Sequence, residues 1–211
     1  MRLSYNDIAG KSVERLAGLS DGIFAVAMTL LVLDLRVPVT DAIHSEHDLW
    51  SALAALAPQI VMYMMSFLTL GIFWIGQQTQ LNHLARAHRS LVWIHILFLF
   101  AVTLTPFSTQ LLAQFYKYRV ALLAYWANIL LLGVSLYFSW DCATNLGLVK
   151  ADMPAGVTGA IKRRIFIGQA MYALGAALCV FSAELSVGFI VVVQLYYAIA
   201  PRIIPRAKHA D

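Results

Sequence analysis

Charged side chains are scarce in this sequence. The 211 residues include 15 Lys and Arg and 11 Asp and Glu, or 12% of the chain, whereas hydrophobic residues make up 61%. An ordinary soluble domain is about 25% charged and about 45–50% apolar, because water must solvate its surface. The shortage of charge therefore excludes a soluble enzyme, a secreted disulfide scaffold and a disordered chain. It predicts that most of the surface faces lipid.

Cysteine and catalytic motifs are also scarce. The only cysteines, Cys142 and Cys179, form no metal-ligand spacing. The sequence has no Ser/His/Asp set, no metalloprotease motif, no Gly-rich phosphate loop and no Thr-Val-Gly-Tyr-Gly potassium filter. Its formal charge is +4, which in a membrane protein indicates cytoplasmic Lys and Arg rather than nucleic-acid binding. We therefore expect no enzymatic activity, no cofactor, no bound metal and no nucleic-acid partner.

Uncharged runs of spanning length fill most of the chain. They cover residues 49–85, 90–116, 120–140, 165–183 and 185–201. A bilayer span needs roughly 20 apolar residues, and the runs lack strand-like alternation, so helices are favoured over a barrel. The polar stretch 76–83 is predicted to be a loop. The sequence thus predicts an all-α integral membrane protein, with a single transmembrane domain over residues 1–211 and six helices at roughly 13–35, 50–76, 89–115, 119–143, 161–183 and 185–204.

The distribution of Lys and Arg predicts the orientation. With the N-terminus in the cytoplasm, the inner segments carry 12 of these residues and the outer segments carry three. Because cytoplasmic loops of membrane proteins hold the excess of Lys and Arg, we expect both termini in the cytoplasm and a multi-pass protein of the cell inner membrane. Acidic residues in or beside the first outer loop predict a mouth that attracts cations. They are Asp34, Asp41, Glu46 and Asp48.

Asp21 is ionisable, yet it lies within the first predicted span. An ionisable side chain in a bilayer is costly and marks either a functional site or a buried structural anchor. Arg15 precedes it by six residues, roughly 240° around a helix, so the two do not share a face. We therefore expect Asp21 to pair with a neighbouring helix. The candidate partners are Trp74, Gln77, Asn82, His83 and His95.

Three apolar residues of the first helix share one face. Val26, Leu30 and Leu33 lie at positions i, i+4 and i+7, and Thr29 flanks them. An apolar stripe at this spacing is typical of core or lipid contacts, and a lone Thr in a membrane helix often bonds the carbonyl four residues earlier. The pattern alone leaves both packing and a pore lining open.

Residues 15–34 read RLAGLSDGIFAVAMTLLVLD, which resembles the first-helix signature of the transmembrane-protein-175 family. That signature is an Arg, three residues, then Phe-Ser-Asp and an apolar stretch. Residues 71–74 (GIFW) and 105–109 (TPFST) resemble the family's second and third helices. Two positions depart from the family: Leu19 replaces a usual Phe, and Gln77 replaces a common His. Because glutamine does not titrate near neutral pH, a polar network at Gln77 is expected to be less proton-sensitive.

The family contains the lysosomal potassium channel and its bacterial homologues, so the resemblance implies a channel. In this family the first helix lines the pore, which implies a constriction at Val26, Leu30 and Leu33 and a selectivity contribution from Thr29. One helix cannot enclose a pore, so a single-repeat chain implies a homotetramer. The resemblance also implies a polar network that ties the first helix to its neighbours. Its expected members are Arg15, Ser20, Asp21, Trp74 and Gln77.

The resulting hypothesis is a potassium-preferring cation channel in the lipid bilayer, permeable to monovalent cations. Rings of Val and Leu narrow the path and expel water when closed, and without a carbonyl filter the selectivity for potassium is expected to be modest. Two alternatives stay open. One is a proton-coupled transporter or proton-leak pathway using Asp21 and His95, although the sequence has no internal repeat to support a transporter. The other is a non-conducting membrane scaffold.

Overall fold

The computed structural model describes residues 12–39 and 43–199, and these residues form a helical bundle. The described part of the chain holds seven α-helices and one 3-10 turn (Leu178–Val180). Four of the helices are long and apolar enough to cross a membrane, namely Val13–Val32, Ala57–Asn82, Arg89–Gln114 and Arg119–Asn145. The α-helices are α1 (Val13–Val32), α2 (Glu46–Ala55), α3 (Ala57–Asn82), α4 (Arg89–Gln114), α5 (Arg119–Asn145), α6 (Val157–Ala177) and α7 (Ala183–Ile199).

The described helices outnumber the six that the sequence predicts, because the predicted helix 50–76 is two helices. The short helix α2 begins after Ser45, whose side chain accepts a hydrogen bond from the backbone N–H of Asp48. It ends at Ala55, and after the single residue Leu56 helix α3 starts with Pro58 in its first turn. Proline has a fixed φ and no N–H, so it fits the first turn of a helix and not its interior. Residues 50–55 therefore belong to a separate helix.

The predicted loop at residues 76–83 is wrong, because α3 continues to Asn82. Two of its glutamines are buried against neighbouring helices. The Gln77 amide donates to the Ser20 hydroxyl of α1, and the Gln80 amide donates to the backbone carbonyl of Leu136 in α5. These partners inside the bundle replace the water molecules that would hydrogen-bond the two glutamine side chains in an exposed loop. The polar stretch can therefore stay helical.

Helix α1 packs against the rest of the bundle on one side only. Helix α1 packs against α3 and α4, α5 packs against α4 and α6, and α7 closes against α3 and α6. Phe98 of α4 lies at the centre of an aromatic cluster, with its ring centroid 5.9 Å from that of Phe24 in α1 and 6.5 Å from that of Phe73 in α3. Because α1 packs only against α3 and α4 among the described helices, one face of it is left uncovered.

Two loops are joined at the end of the bundle where α3 meets α4. The backbone N–H of Ala85 donates to the carbonyl of Leu148, and that of Lys150 donates to the carbonyl of His83. The fully buried Trp140 of α5 packs under this bridge, edge-on to the His83 ring. This arrangement fixes the start of α4 relative to α5, and it holds in place the helix that carries His95.

Candidate pore helix and its polar network

Helix α1 has two different faces. Its buried face is made of Leu16, Ser20, Phe24, Ala27 and Leu31, spaced three or four residues apart. Beside this face lies an exposed stripe, on which Val26 is 58% exposed, Leu30 44% and Leu33 70%. The three residues at the predicted constriction therefore lie on a side of α1 that the other described helices do not cover. Large apolar side chains this exposed need lipid or another protein surface against them.

A groove runs along the open face of α1. It has a volume of about 430 Å³ and lies between α1 and Thr103 of α4. Its floor contains Gly18 and Gly22, and a Cβ atom at either position would meet nothing within 4 Å. Val26 and Leu30 form its apolar wall. The groove is thus a wide opening beside the apolar stripe rather than a packing defect.

Thr29 is exposed near the same stripe, and its hydroxyl bonds its own helix. The Oγ1 atom lies 3.0 Å from the carbonyl oxygen of Ala25 and 2.9 Å from that of Val26, and it donates toward both. The hydroxyl hydrogen is therefore occupied, as expected for threonine in a membrane helix. The oxygen lone pairs remain, so Thr29 presents a hydrogen-bond acceptor to whatever faces it.

Ser20 forms a buried hydrogen-bonded cluster with two other helices. Its Oγ lies 2.7 Å from Nε2 of His95 and donates to the carbonyl of Leu16 at 2.8 Å, while the Gln77 amide donates to it at 2.9 Å. Ser20, Gln77 and His95 are each at most 1% exposed. In an apolar surrounding such a cluster fixes the relative positions of α1, α3 and α4, because unpaired polar groups are costly there.

Asp21 is held from α3 by two side chains. Trp74 Nε1 donates to Asp21 Oδ1 at 2.8 Å, and Gln78 Nε2 donates to the same oxygen at 2.6 Å. Of the candidate partners from the sequence, the structure places only Trp74 against Asp21. Gln77 and His95 instead contact Ser20. Ser20 and Asp21 thus form two adjacent attachments of α1 to the bundle.

The remaining candidate partners lie elsewhere. His83 bonds the backbone carbonyl of Thr79, and Asn82 is exposed. Arg15 is exposed too, and its side chain makes no hydrogen bond or ion pair within residues 12–39 and 43–199. Gln78 was missed because the sequence pattern placed it in a loop. Its spacing of four residues from Trp74 puts the two side chains on one helical face and was the signal that could have found it.

The charged group at the far end of α1 is Asp34, just beyond the last helical residue. Burial raises the pKa of the Asp34 carboxyl, and the nearby positive charge of Arg36 opposes that rise. Asp34 therefore becomes neutral at a higher pH than a fully solvated aspartate. Asp41, a further member of the predicted acidic mouth, lies outside the described residues.

Comparison with known proteins gives consistent matches. The family model described as the endosomal/lysosomal potassium channel TMEM175 matches residues 15–106, from α1 into α4. A potassium channel of Streptomyces collinus is 32% identical over 190 residues, which is 87% of this chain and 90% of that protein. The mouse endosomal/lysosomal proton channel TMEM175 is 32% identical over 109 residues, which is 49% of this chain and 22% of that protein.

The fold is also that of a solved channel. The crystal structure of a lysosomal potassium-selective channel TMEM175 homolog from Chamaesiphon minutus superposes with a TM-score of 0.76 at 29% identity. The match covers 89% of this chain and 97% of that one. Agreement over nearly the full length of both the Streptomyces and the Chamaesiphon proteins leaves no large region unaccounted for. The chain belongs to the TMEM175 family of ion channels.

Proposed function

We propose that this protein is a potassium-preferring cation channel whose pore is lined by α1 from several subunits. The observation that carries the proposal is the exposed stripe of Val26, Leu30 and Leu33 on a helix whose buried face is anchored to the bundle. The relatives named as potassium channels support the choice of ion. The attachments at Ser20 and Asp21 give α1 a fixed orientation, so that the same side chains face the pore in every subunit.

The constriction works by excluding water. Four copies of Leu30 and Leu33 around an axis form apolar rings, and a narrow apolar ring expels water and blocks a hydrated ion when closed. Val26 is smaller than Leu, so its ring is the wider one. Widening or wetting of the rings opens the path. Neither step needs a carbonyl filter.

Thr29 supplies the weak preference for potassium. Because its hydrogen is occupied by the carbonyls of Ala25 and Val26, only its oxygen is available to an ion. Potassium gives up part of its hydration shell more easily than sodium does, and a ring of hydroxyl oxygens replaces some of the lost water. The resulting selectivity is modest.

The proposed assembly is a homotetramer of single-domain subunits spanning residues 1–211. In each subunit α6 and α7 cross the bilayer together with α1, α3, α4 and α5, which gives six spans with both termini in the cytoplasm and places the protein in the cell inner membrane. The distribution of Lys and Arg supports this orientation. Closed rotational symmetry is the usual form of a homo-oligomer, and it covers the open face of α1 without an additional partner.

Proton permeation is the second candidate, and the name of the mouse relative favours it. The contacts do not support a relay between Asp21 and His95. Asp21 bonds Trp74 and Gln78, whereas His95 bonds Ser20 and Gln77, and the two share no hydrogen bond. A proton pathway would therefore use the same hydrated pore as potassium.

A flux assay separates these functions. Purified protein is reconstituted into potassium-loaded vesicles of phosphatidylcholine and phosphatidylglycerol, with a proton-sensitive dye and a potassium gradient. With a protonophore added, we expect dye quenching that reports potassium efflux, well above that of protein-free vesicles. Quenching driven by a proton gradient alone, in vesicles without potassium, would support the proton pathway. No flux in either arm would leave a non-conducting scaffold and contradict the channel.

Replacing Thr29 with valine is expected to lower the ratio of potassium to sodium flux about two- to tenfold. The change removes one oxygen from each subunit, and a lost polar contact of this kind costs about 0.5–1.5 kcal/mol. The ratio is measured in the same vesicles with either cation inside. Thr144→Val is the matched control, because Thr144 also donates to two carbonyls of its own helix, at the end of α5. An unchanged ratio in Thr29→Val would remove Thr29 from the ion path.

A further inference from the structure

A second polar cluster lies inside the subunit, away from α1. Its hydrogen bonds run from helix to helix. Gln194 of α7 donates to Thr69 of α3 at 2.6 Å, and Thr69 lies 3.0 Å from the hydroxyl of Tyr125 in α5. Ser66 of α3 donates to Tyr125 at 3.2 Å, and Thr109 of α4 donates to Ser66 at 2.7 Å. These five side chains are at most 3% exposed. Four helices thus direct polar groups to one point within a bundle whose exterior is apolar.

Two buried polar atoms at this cluster have no hydrogen-bond partner within residues 12–39 and 43–199. They are the Gln194 side-chain oxygen and the Tyr172 hydroxyl. Tyr172 is 3% exposed and lies near Gln194 and Thr69. An unpaired polar group in an apolar interior is costly, and native structures usually satisfy it with a bound water molecule.

A cavity reaches Tyr172, beside this cluster, from one end of the bundle. It lies between α3, α5, α6 and α7 and has a volume of about 70 Å³. Arg164 and Gln80 line it nearer that end, and Gln169 and Tyr172 line it deeper in the bundle. The Gln169 side-chain oxygen is a further buried atom without a protein partner. Since roughly 10–15 Å³ of volume measured in this way is enough to hold one water molecule, the cavity has room for more than one.

We propose that this cavity is an internal water site, in which a short chain of water molecules enters beside Arg164 and hydrogen-bonds Gln169 and Tyr172. The apolar walls formed by Ile72, Leu136 and Ile165 would also fit a lipid acyl chain. A hydrocarbon chain, however, offers no hydrogen bond to the Tyr172 hydroxyl or the Gln169 oxygen. Water satisfies both, because it donates and accepts.

The water site is separate from the proposed pore. The groove along the open face of α1 is lined by residues of α1 and by Thr103 of α4, and it shares no lining residue with the cavity. Each subunit would therefore contain its own water-filled space, on the side of α3 away from the Ser20 cluster. This inference does not depend on ion permeation, so either one can fail without the other.

Radiolytic hydroxyl labelling of the wild-type protein in phosphatidylcholine and phosphatidylglycerol vesicles tests the water site. A scavenger removes radicals from bulk solution, so that buried rings are oxidised only by radicals formed from water bound beside them. We expect Tyr172, which is 3% exposed, to be labelled several-fold faster than Phe98, a fully buried aromatic ring in the apolar core. Labelling of Tyr172 no faster than that of Phe98 would overturn the proposal and leave a dry or lipid-filled cavity.

A cavity-filling variant sharpens the result. A Cβ at Gly168 would lie 3.6 Å from the Tyr197 hydroxyl, in ordinary contact, so Gly168→Leu directs its larger side chain into the cavity. We expect this variant to lose most of the Tyr172 labelling. Gly188→Leu on exposed α7 surface, where a Cβ would meet nothing within 4 Å, is expected to keep it. Equal labelling in the two variants would contradict entry of water through this cavity.

Discussion

Potassium flux through reconstituted Leu30→Asn and Leu33→Asn protein is expected to rise about tenfold over wild type. Asparagine is similar to leucine in size but binds water, so in the proposed tetramer a ring of four asparagines would keep the proposed constriction wet. A tenfold change corresponds to lowering the barrier by about 1.4 kcal/mol. The measurement is the initial rate of dye quenching in potassium-loaded vesicles at matched protein content.

Leu123→Asn is the control for these two variants. Leu123 of α5 is 44% exposed, the same fraction as Leu30, but it lies on a different helix, near one end of the bundle. Its replacement should leave the flux within experimental error of wild type. A rise in Leu123→Asn equal to that in Leu30→Asn would indicate a general leak. No rise in either α1 variant would remove both residues from the gate.

Ser20→Ala is expected to destabilise the protein by about 1–3 kcal/mol, because it leaves the amide of Gln77 and the ring of His95 without their shared partner. For a chain of this length that corresponds to a fall of about 2–4 °C in the unfolding midpoint for each kcal/mol. The midpoint is measured by thermal denaturation in detergent. Loosening of α1 should also reduce potassium flux, since the face proposed to line the pore would lose its fixed orientation.

An exposed serine provides the comparison for Ser20→Ala. Ser51 lies on the exposed surface of α2, and Ser51→Ala should change neither the midpoint nor the flux. Should Ser20→Ala match Ser51→Ala in both measurements, the Ser20 cluster would not be what holds α1 to the bundle. A lower midpoint with normal flux would restrict the cluster to a structural role.

The positions of charged residues predict the ends of the long helices well. The predicted helices 89–115 and 119–143 are found as α4 (Arg89–Gln114) and α5 (Arg119–Asn145). Each begins at an arginine at the edge of an uncharged run, because charged side chains stay at the ends of apolar segments. Where this signal is strong, the sequence alone places a helix to within two or three residues.

Polar residues on apolar helices were harder to interpret. Gln77 and Gln80 resemble loop residues in sequence, but in the fold the Ser20 hydroxyl of α1 and the Leu136 carbonyl of α5 accept hydrogen bonds from their amides. For the same reason nothing in the sequence indicates that Thr69, Tyr125 and Gln194 meet. These residues are far apart in the chain, and their pairing depends on helix packing that no local pattern encodes.

Thiol chemistry at position 30 tests most directly whether α1 lines the ion path. Leu30→Cys and Leu123→Cys are made in a protein whose two native cysteines, Cys142 and Cys179, are replaced by alanine. Silver ions, which enter cation pathways and bind thiolates, are then added to potassium-loaded vesicles during efflux. If α1 lines the ion path, silver will abolish potassium flux through Leu30→Cys and leave the flux through Leu123→Cys unaffected. Undiminished flux through Leu30→Cys, with the thiol shown to be present, would contradict it.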